Sequence, residues 1–213
     1  MESDPRTPAH AEPQTSTRSH ESPEHRAELK ALYANAKRLQ LHLGGWEVRE
    51  GWTIVNVEDR PGVDVRSNCV DLSMFPDASA VEIYASHVYE HLGYQDELPK
   101  AFAEAKRVLM PGGRLRVAVP DLEVLAQLIL DTRHDVNAQF MVQRMVMGGQ
   151  TEPYDFHKTG FTQNILIALL KVHGFKDFRR VDDFRLFDDT SKLRFGGTPI
   201  SLNMQCIRGV EAK

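Results

Sequence analysis

The chain has 213 residues, 41% hydrophobic and 26% charged, with a formal net charge of -4. That length favours one domain with a substantial core, and the charge balance carries no footprint of nucleic acid or an anionic membrane. Cys69 and Cys206 are too few and too far apart for a disulfide framework, no apolar run spans a membrane, and the N-terminus lacks a signal core; a soluble, cytoplasmic protein is expected.

Residues 1–23 are rich in Pro, Ser, Thr, Glu and His and nearly free of large apolar side chains. Such a segment cannot offset its ordering entropy by burial, so a disordered tail is expected, with the domain occupying residues 24–213. His10, His20 and His25 lack metal-ligand spacing and are expected to face solvent. A helix is expected from Pro23 to Lys37, with Leu29, Leu32, Tyr33 and Ala36 on one face. Leu39, Leu41 and Leu43 alternate with polar residues and stop at Gly44-Gly45, a strand that ends on bare backbone. A second strand, Thr53–Val57, leads into Glu58 and Asp59, acids placed to accept from ribose hydroxyls.

Arg60-Pro61-Gly62 is a turn, and a short extended piece from Asp64 runs on to Asp71-Leu72. Ala80–Ala85 reads as a strand, and Asp96–Leu109 as a helix with Leu98, Phe102, Ala105 and Leu109 in a stripe. Met110-Pro111-Gly112-Gly113 is expected to break the chain before a strand at Arg114–Asp121. A helix at Leu122–Leu130, a helix and loop across Asp131–Lys158, and a helix at Phe161–His173 follow. Phe178–Val181 and Ile200–Ile207 form a last strand pair, joined by a long connection over Phe184–Thr198. Strands alternating with helices argue for a mostly parallel sheet covered on both faces.

With the motifs in this order, the chain resembles a class I S-adenosylmethionine-dependent methyltransferase of the small single-domain type. The segments that carry the likeness are LHLGG, GWTIVNVE, CVDL, EIYASHVYEHL, RVLMPGGRLRVAVPDLE and HKTGFT leading into VHGF. The resemblance implies an α/β, Rossmann-like fold: a mostly parallel seven-stranded sheet, an antiparallel C-terminal strand and helices on both faces. It implies S-adenosylmethionine as cofactor, with Leu43, Gly44 and Gly45 at its amino acid end. Glu58, or Asp59 in its place, would take the ribose; Asp71 and Leu72 would border adenine; Ser86 and His87 would border the methionine portion. Trp46 stands where the family usually has a small residue, so it either stacks over the cofactor or fills the pocket. Similar proteins are often associated with surface polysaccharide or glycoconjugate synthesis, which suggests a small-molecule or glycan hydroxyl as acceptor.

A hydroxyl acceptor benefits from a general base, and His157 is the first candidate, His87 the second. Arg133 and Lys158 are candidates for holding an anionic substrate. A degenerate binding or assembly subunit is the alternative to an enzyme. Two further patterns stand lower. His87-Val88-Tyr89-Glu90-His91 matches H-x-x-E-H, a zinc-hydrolase pattern, but no third ligand motif follows, and no metal is expected. Tyr154 and Lys158 have the spacing of short-chain dehydrogenases, without the glycine pattern that NAD requires.

Overall fold

The computed structural model describes residues 22–210, so the expected tail lies almost wholly outside the described residues. Helix α1 (Pro23–Tyr33) starts where Ser22 Oγ accepts from the His25 amide and Pro23 occupies the first turn, where no amide is needed. It ends at Tyr33 rather than Lys37, and Arg38 turns the chain into the sheet with φ 62°. Leu29 is buried and Tyr33 packs edge-on against Phe75, but Leu32 is 71% exposed and leaves the expected apolar face.

Seven strands form the main sheet: β1 (Leu39–Leu43), β2 (Trp52–Asn56), β3 (Val65–Arg66), β4 (Ala80–Ser86), β5 (Leu109–Pro120), β6 (Phe175–Arg180) and β9 (Ser201–Arg208). Their order is β3-β2-β1-β4-β5-β9-β6. The first five pair in parallel, and β9 runs antiparallel between β5 and β6. This is the expected Rossmann-like methyltransferase sheet. The Pro-Gly-Gly segment does not precede β5 but bulges within it: Ala80 pairs with Leu109 and Glu82 with Arg114, and the residues between are looped out. The expected long connection before β9 contains a 3-10 turn, Thr190–Lys192, and a small hairpin of β7 (Arg194–Phe195) and β8 (Thr198–Pro199).

Helices α2 (Glu97–Val108) and α5 (Gln163–Val172) join α1 on one face of the sheet. There Leu98, Phe102, Leu166 and Leu170 meet Leu41, Ile83, Leu115 and Val117 in the main core. The other face is closed differently. Parallel strands usually need a crossover of about a dozen residues or more, commonly a helix. Here residues 44–51 join β1 to β2 with no helix. His42, Trp52 and Tyr84, which alternate away from the main core, are covered instead by Phe184 and Phe187 of the β6–β9 connection. Helices α3 (Leu122–Leu130) and α4 (Val136–Met147) pack together with Ile200, beyond the tip of β5. No helix among the described residues is long and apolar enough to cross a membrane.

Candidate active site

The carboxyl ends of β1 and β4 converge, as crevice-forming strand tips do at a topological switch point. A small hollow there is lined by His42, Gly44, Gly45, Trp46, Glu47, Ser86 and residues 188–190. Both glycines are required sterically. A Cβ on Gly44, whose φ is +70°, would collide with Val88, and one on Gly45 would enter the His42 ring. The turn is fixed by the Gly44 amide donating to Val55 O and by Asn56 Nδ2 donating to Gly45 O. Two buried polar atoms beside it, Ser86 Oγ and His42 Nδ1, have no hydrogen-bond partner. Burial pushes the His42 imidazole down to about 4, so it is neutral at physiological pH. Trp46 does not plug the hollow: its indole is 58% exposed and lies under the Arg60 guanidinium.

The hollow measures about 30 Å³, whereas pockets that hold small ligands run to roughly 300–1,000 Å³. Its roof is the β1–β2 loop tied to the β6–β9 connection. Glu47 Oε2 accepts from the Asp188 amide at 2.9 Å, and Arg49 donates to Leu186 O. Below, Tyr84 donates to Asp189 Oδ2 at 2.7 Å. The hollow thus brings together glycine backbone, two unpaired polar atoms and a roof held by exposed hydrogen bonds.

The other expected contacts are engaged within the protein. Glu58 pairs with Arg60, and its amide donates to Asn56 Oδ1. Asp59 is exposed, 3.9 Å from Arg66. Asp71 pairs with Arg26 of α1 and accepts from the Ser73 amide; burial opposes its charge, but these partners hold its carboxyl below the ordinary range. Leu72 is buried and its amide donates to Glu104. None of these four lines the hollow at Gly44.

Beyond Ser86 the wall continues into a cluster around Glu90, which is 1% exposed. His87 Nδ1 lies 3.0 Å from Glu90 Oε1, outside hydrogen-bond geometry, so neither carboxylate oxygen is hydrogen-bonded. Burial raises the Glu90 pKa, but the charges of His87, His91 and His157 outweigh it and leave the net shift downward. His157 arrives from the α4–α5 loop, where the Lys158 and Thr159 amides donate to Glu90 O and Thr159 Oγ1 donates to Leu92 O. Burial pushes its pKa down, against the pull of Glu90. His87 Nε2 is bound to Ser201 Oγ at 2.9 Å, so both its nitrogens have neighbours. Lys158 pairs with Glu97 and Arg133 with Asp131, which takes up both cations considered for an anionic substrate.

The two lower alternatives lose their geometry. H-x-x-E-H needs a helix to put both histidines on one face, and Tyr89–His91 is a single 3-10 turn. Tyr154 and Lys158 lie in a non-helical loop, where a spacing of four does not make neighbours. His42, Glu47 and residues 188–190 were not singled out from the sequence. The one signal for His42 was its place two residues before Gly44, on the opposite side of the strand from its leucines.

Residues 51–117 match the family described as "Methyltransferase domain". No curated protein matches the chain. Among solved structures, a methyltransferase from Archaeoglobus fulgidus described as SAM-dependent is similar over 86% of this chain and 92% of its own, at TM-score 0.53 and 15% identity. A 1,6-didemethyltoxoflavin-N1-methyltransferase from Burkholderia thailandensis, with S-adenosylhomocysteine bound, is similar over 88% and 78%, at 0.50 and 15%. A SAM-dependent methyltransferase from Methanosarcina mazei is similar over 85% and 97%, at 0.51 and 16%. Residues 51–117 thus match a methyltransferase-domain family, and the chain has the Rossmann-like fold of S-adenosylmethionine-dependent methyltransferases.

Proposed function

We propose that the protein methylates a hydroxyl of a small-molecule or glycoconjugate acceptor in the cytoplasm. The observation that carries this reading is the β1 tip. Gly44 and Gly45 admit no side chain, and Ser86 Oγ and His42 Nδ1 stand beside them unpaired. The cofactor supplies a sulfonium methyl group, an electrophile that needs no covalent enzyme intermediate. The protein's task is alignment and exclusion of water. Leu43, Gly44, Gly45 and Ser86 hold the amino acid end. Glu58, with Asp59 as fallback, takes the ribose on leaving Arg60, and Asp71 and Leu72 border adenine. A hydroxyl loses its proton as its oxygen is methylated, and His157, with His87 second, is the group that draws that proton away.

The closed roof favours a second reading, a fold relative that binds without catalysis. Calorimetric titration with S-adenosylmethionine and S-adenosylhomocysteine separates the two. Binding is expected, weakened strongly by Glu58→Ala and spared by His157→Ala, which lowers turnover instead. Absence of heat and of any thermal shift with either compound would leave the binding subunit standing. Equal loss of cofactor affinity in both variants would contradict the division between the two ends of the cleft.

A further inference from the structure

A buried carboxylate normally has hydrogen bonds to offset its lost hydration. Glu90 has only the ion-pair contact of His87 Nδ1, 3.0 Å from Oε1, and two more imidazoles stand near it, His91 from its own turn and His157 from the α4–α5 loop. The two outer ones are prepared alike. His91 Nδ1 donates to Phe156 O and His157 Nδ1 donates to Val146 O, both at 3.2 Å. A carbonyl only accepts, so each ring carries a hydrogen on Nδ1, and in the neutral form its Nε2 lone pair is free for a ligand. Metal-bound histidines are oriented in this way, one nitrogen on the ion and the other donating to backbone. The two rings stand 4.9 Å apart, and one ligand atom each from Glu90, His91 and His157 lie within 4.8 Å of one another. Ligands around a tetrahedral zinc ion are about 3.4 Å apart, so an ion would draw them in by roughly 1 Å.

We infer that Glu90, His91 and His157 form a three-ligand site for one divalent transition-metal ion, of the zinc class. Two nitrogens and one carboxylate oxygen suit zinc or cobalt rather than magnesium or calcium, which take oxygen ligands. The site differs from the H-x-x-E-H pattern in its members. His157 is the ligand the sequence lacked, delivered by the loop whose amides grip Glu90 O, and Glu90 is itself a ligand rather than a base. His87, held on Ser201, stays outside the set and positions the carboxylate. A bound ion can draw a proton from an acceptor hydroxyl by coordinating its oxygen, with solvent taking the proton. Metal binding itself does not depend on methyl transfer.

The test uses the full chain, stripped with a chelator and titrated by calorimetry with zinc chloride and, separately, magnesium chloride. One equivalent of zinc is expected, weakened about 100-fold or more by His91→Ala and by His157→Ala, and less, about 10-fold, by His87→Gln, which removes only a positioning contact. Cobalt in the unaltered chain should give the visible spectrum of a four-coordinate ion, a readout that survives if a variant fails to fold. No zinc binding, a six-coordinate cobalt spectrum, or tighter binding of magnesium would overturn the assignment. So would zinc held equally by both alanine variants, which would place the ion elsewhere, for example on His10, His20 and His25. Cofactor titration is run beside it: zinc without cofactor binding leaves this site standing, and cofactor without zinc ends this inference alone.

Discussion

The two faces of the sheet are closed by different means. On one, α1, α2 and α5 lay apolar stripes on Leu41, Ile83 and Leu115, and nearly every contact is carbon on carbon. On the other, the β1–β2 crossover has no helix, and the β6–β9 connection takes its place with Phe184, Phe187 and Asp189. A helix satisfies its own backbone and brings an apolar stripe. An irregular connection brings polar groups that need partners, and it tolerates polar residues beneath it. The first face therefore holds stability, and the second holds His42, Tyr84 and Ser86, groups that a ligand can engage.

The sharpest test of that contrast lies on the first face. Phe102 is fully buried between Tyr89 and His173. Phe102→Ala removes a ring from a closed apolar layer and should cost about 3–5 kcal/mol, read as a lower urea midpoint with an unchanged slope. A loss below about 1 kcal/mol would mean that this face is no better packed than the other.

The second face should instead respond to pH. The His42 imidazole titrates at about 4 when folded and 6.5 ordinarily, because burial disfavours its charged form. The unfolded chain thus binds the proton first. The contribution of His42 is complete above pH 6.5 and fades as pH falls towards 4, by about 3 kcal/mol at most. His42→Phe keeps a ring against Phe187, 4.0 Å away, and should flatten this part of the acid limb while changing little at neutral pH. An unaltered acid limb would show that the imidazole is not sealed by the connection.

The same contrast explains what could be read from the chain. The first face was legible because its periodicity is local: Leu39, Leu41 and Leu43 alternate, and Leu98, Phe102 and Ala105 fall in one stripe. The mostly parallel seven-stranded sheet with its antiparallel C-terminal strand followed from the motif order in the family resemblance. The second face was not legible, because Phe184 and Phe187 lie in a stretch without period, and only the fold brings them onto His42 and Trp52. The site divided similarly. Gly44, Gly45 and Ser86 announce themselves at strand ends. Whether Glu58 and Asp71 face the cofactor depends on Arg60 and Arg26, whose pairing no spacing encodes. Likewise His157 and Glu90 each sat in a visible motif, but their meeting depends on loop amides at Lys158 and Thr159.

A smaller effect is expected at Tyr84, whose hydroxyl holds the connection through Asp189. Tyr84→Phe keeps the ring among Trp52, Phe184 and Phe187 and removes the hydroxyl's bonds to Asp189 and Ser191, so a loss of about 1–2 kcal/mol is expected. Asp189 remains bonded to the Ser191 amide, which limits the damage. A loss as large as that from Phe102→Ala would make the hydroxyl, rather than the aromatic rings, the main closure of this face.

Glu47 should matter least to stability and most to access. Its carboxylate is exposed and its recorded bond, to the Asp188 amide, spans the roof of the hollow. Glu47→Ala should change stability by no more than about 0.5 kcal/mol, as surface substitutions do. If roof opening limits entry, removing a bond worth about 0.5 kcal/mol should speed S-adenosylmethionine association about twofold. Stopped-flow fluorescence is suited to this, because Trp46 lies in the same loop and lines the hollow. Slower association or weaker binding would give Glu47 the opposite role, a carboxylate that holds the cofactor's ammonium group, and would make this loop part of the site instead of its cover.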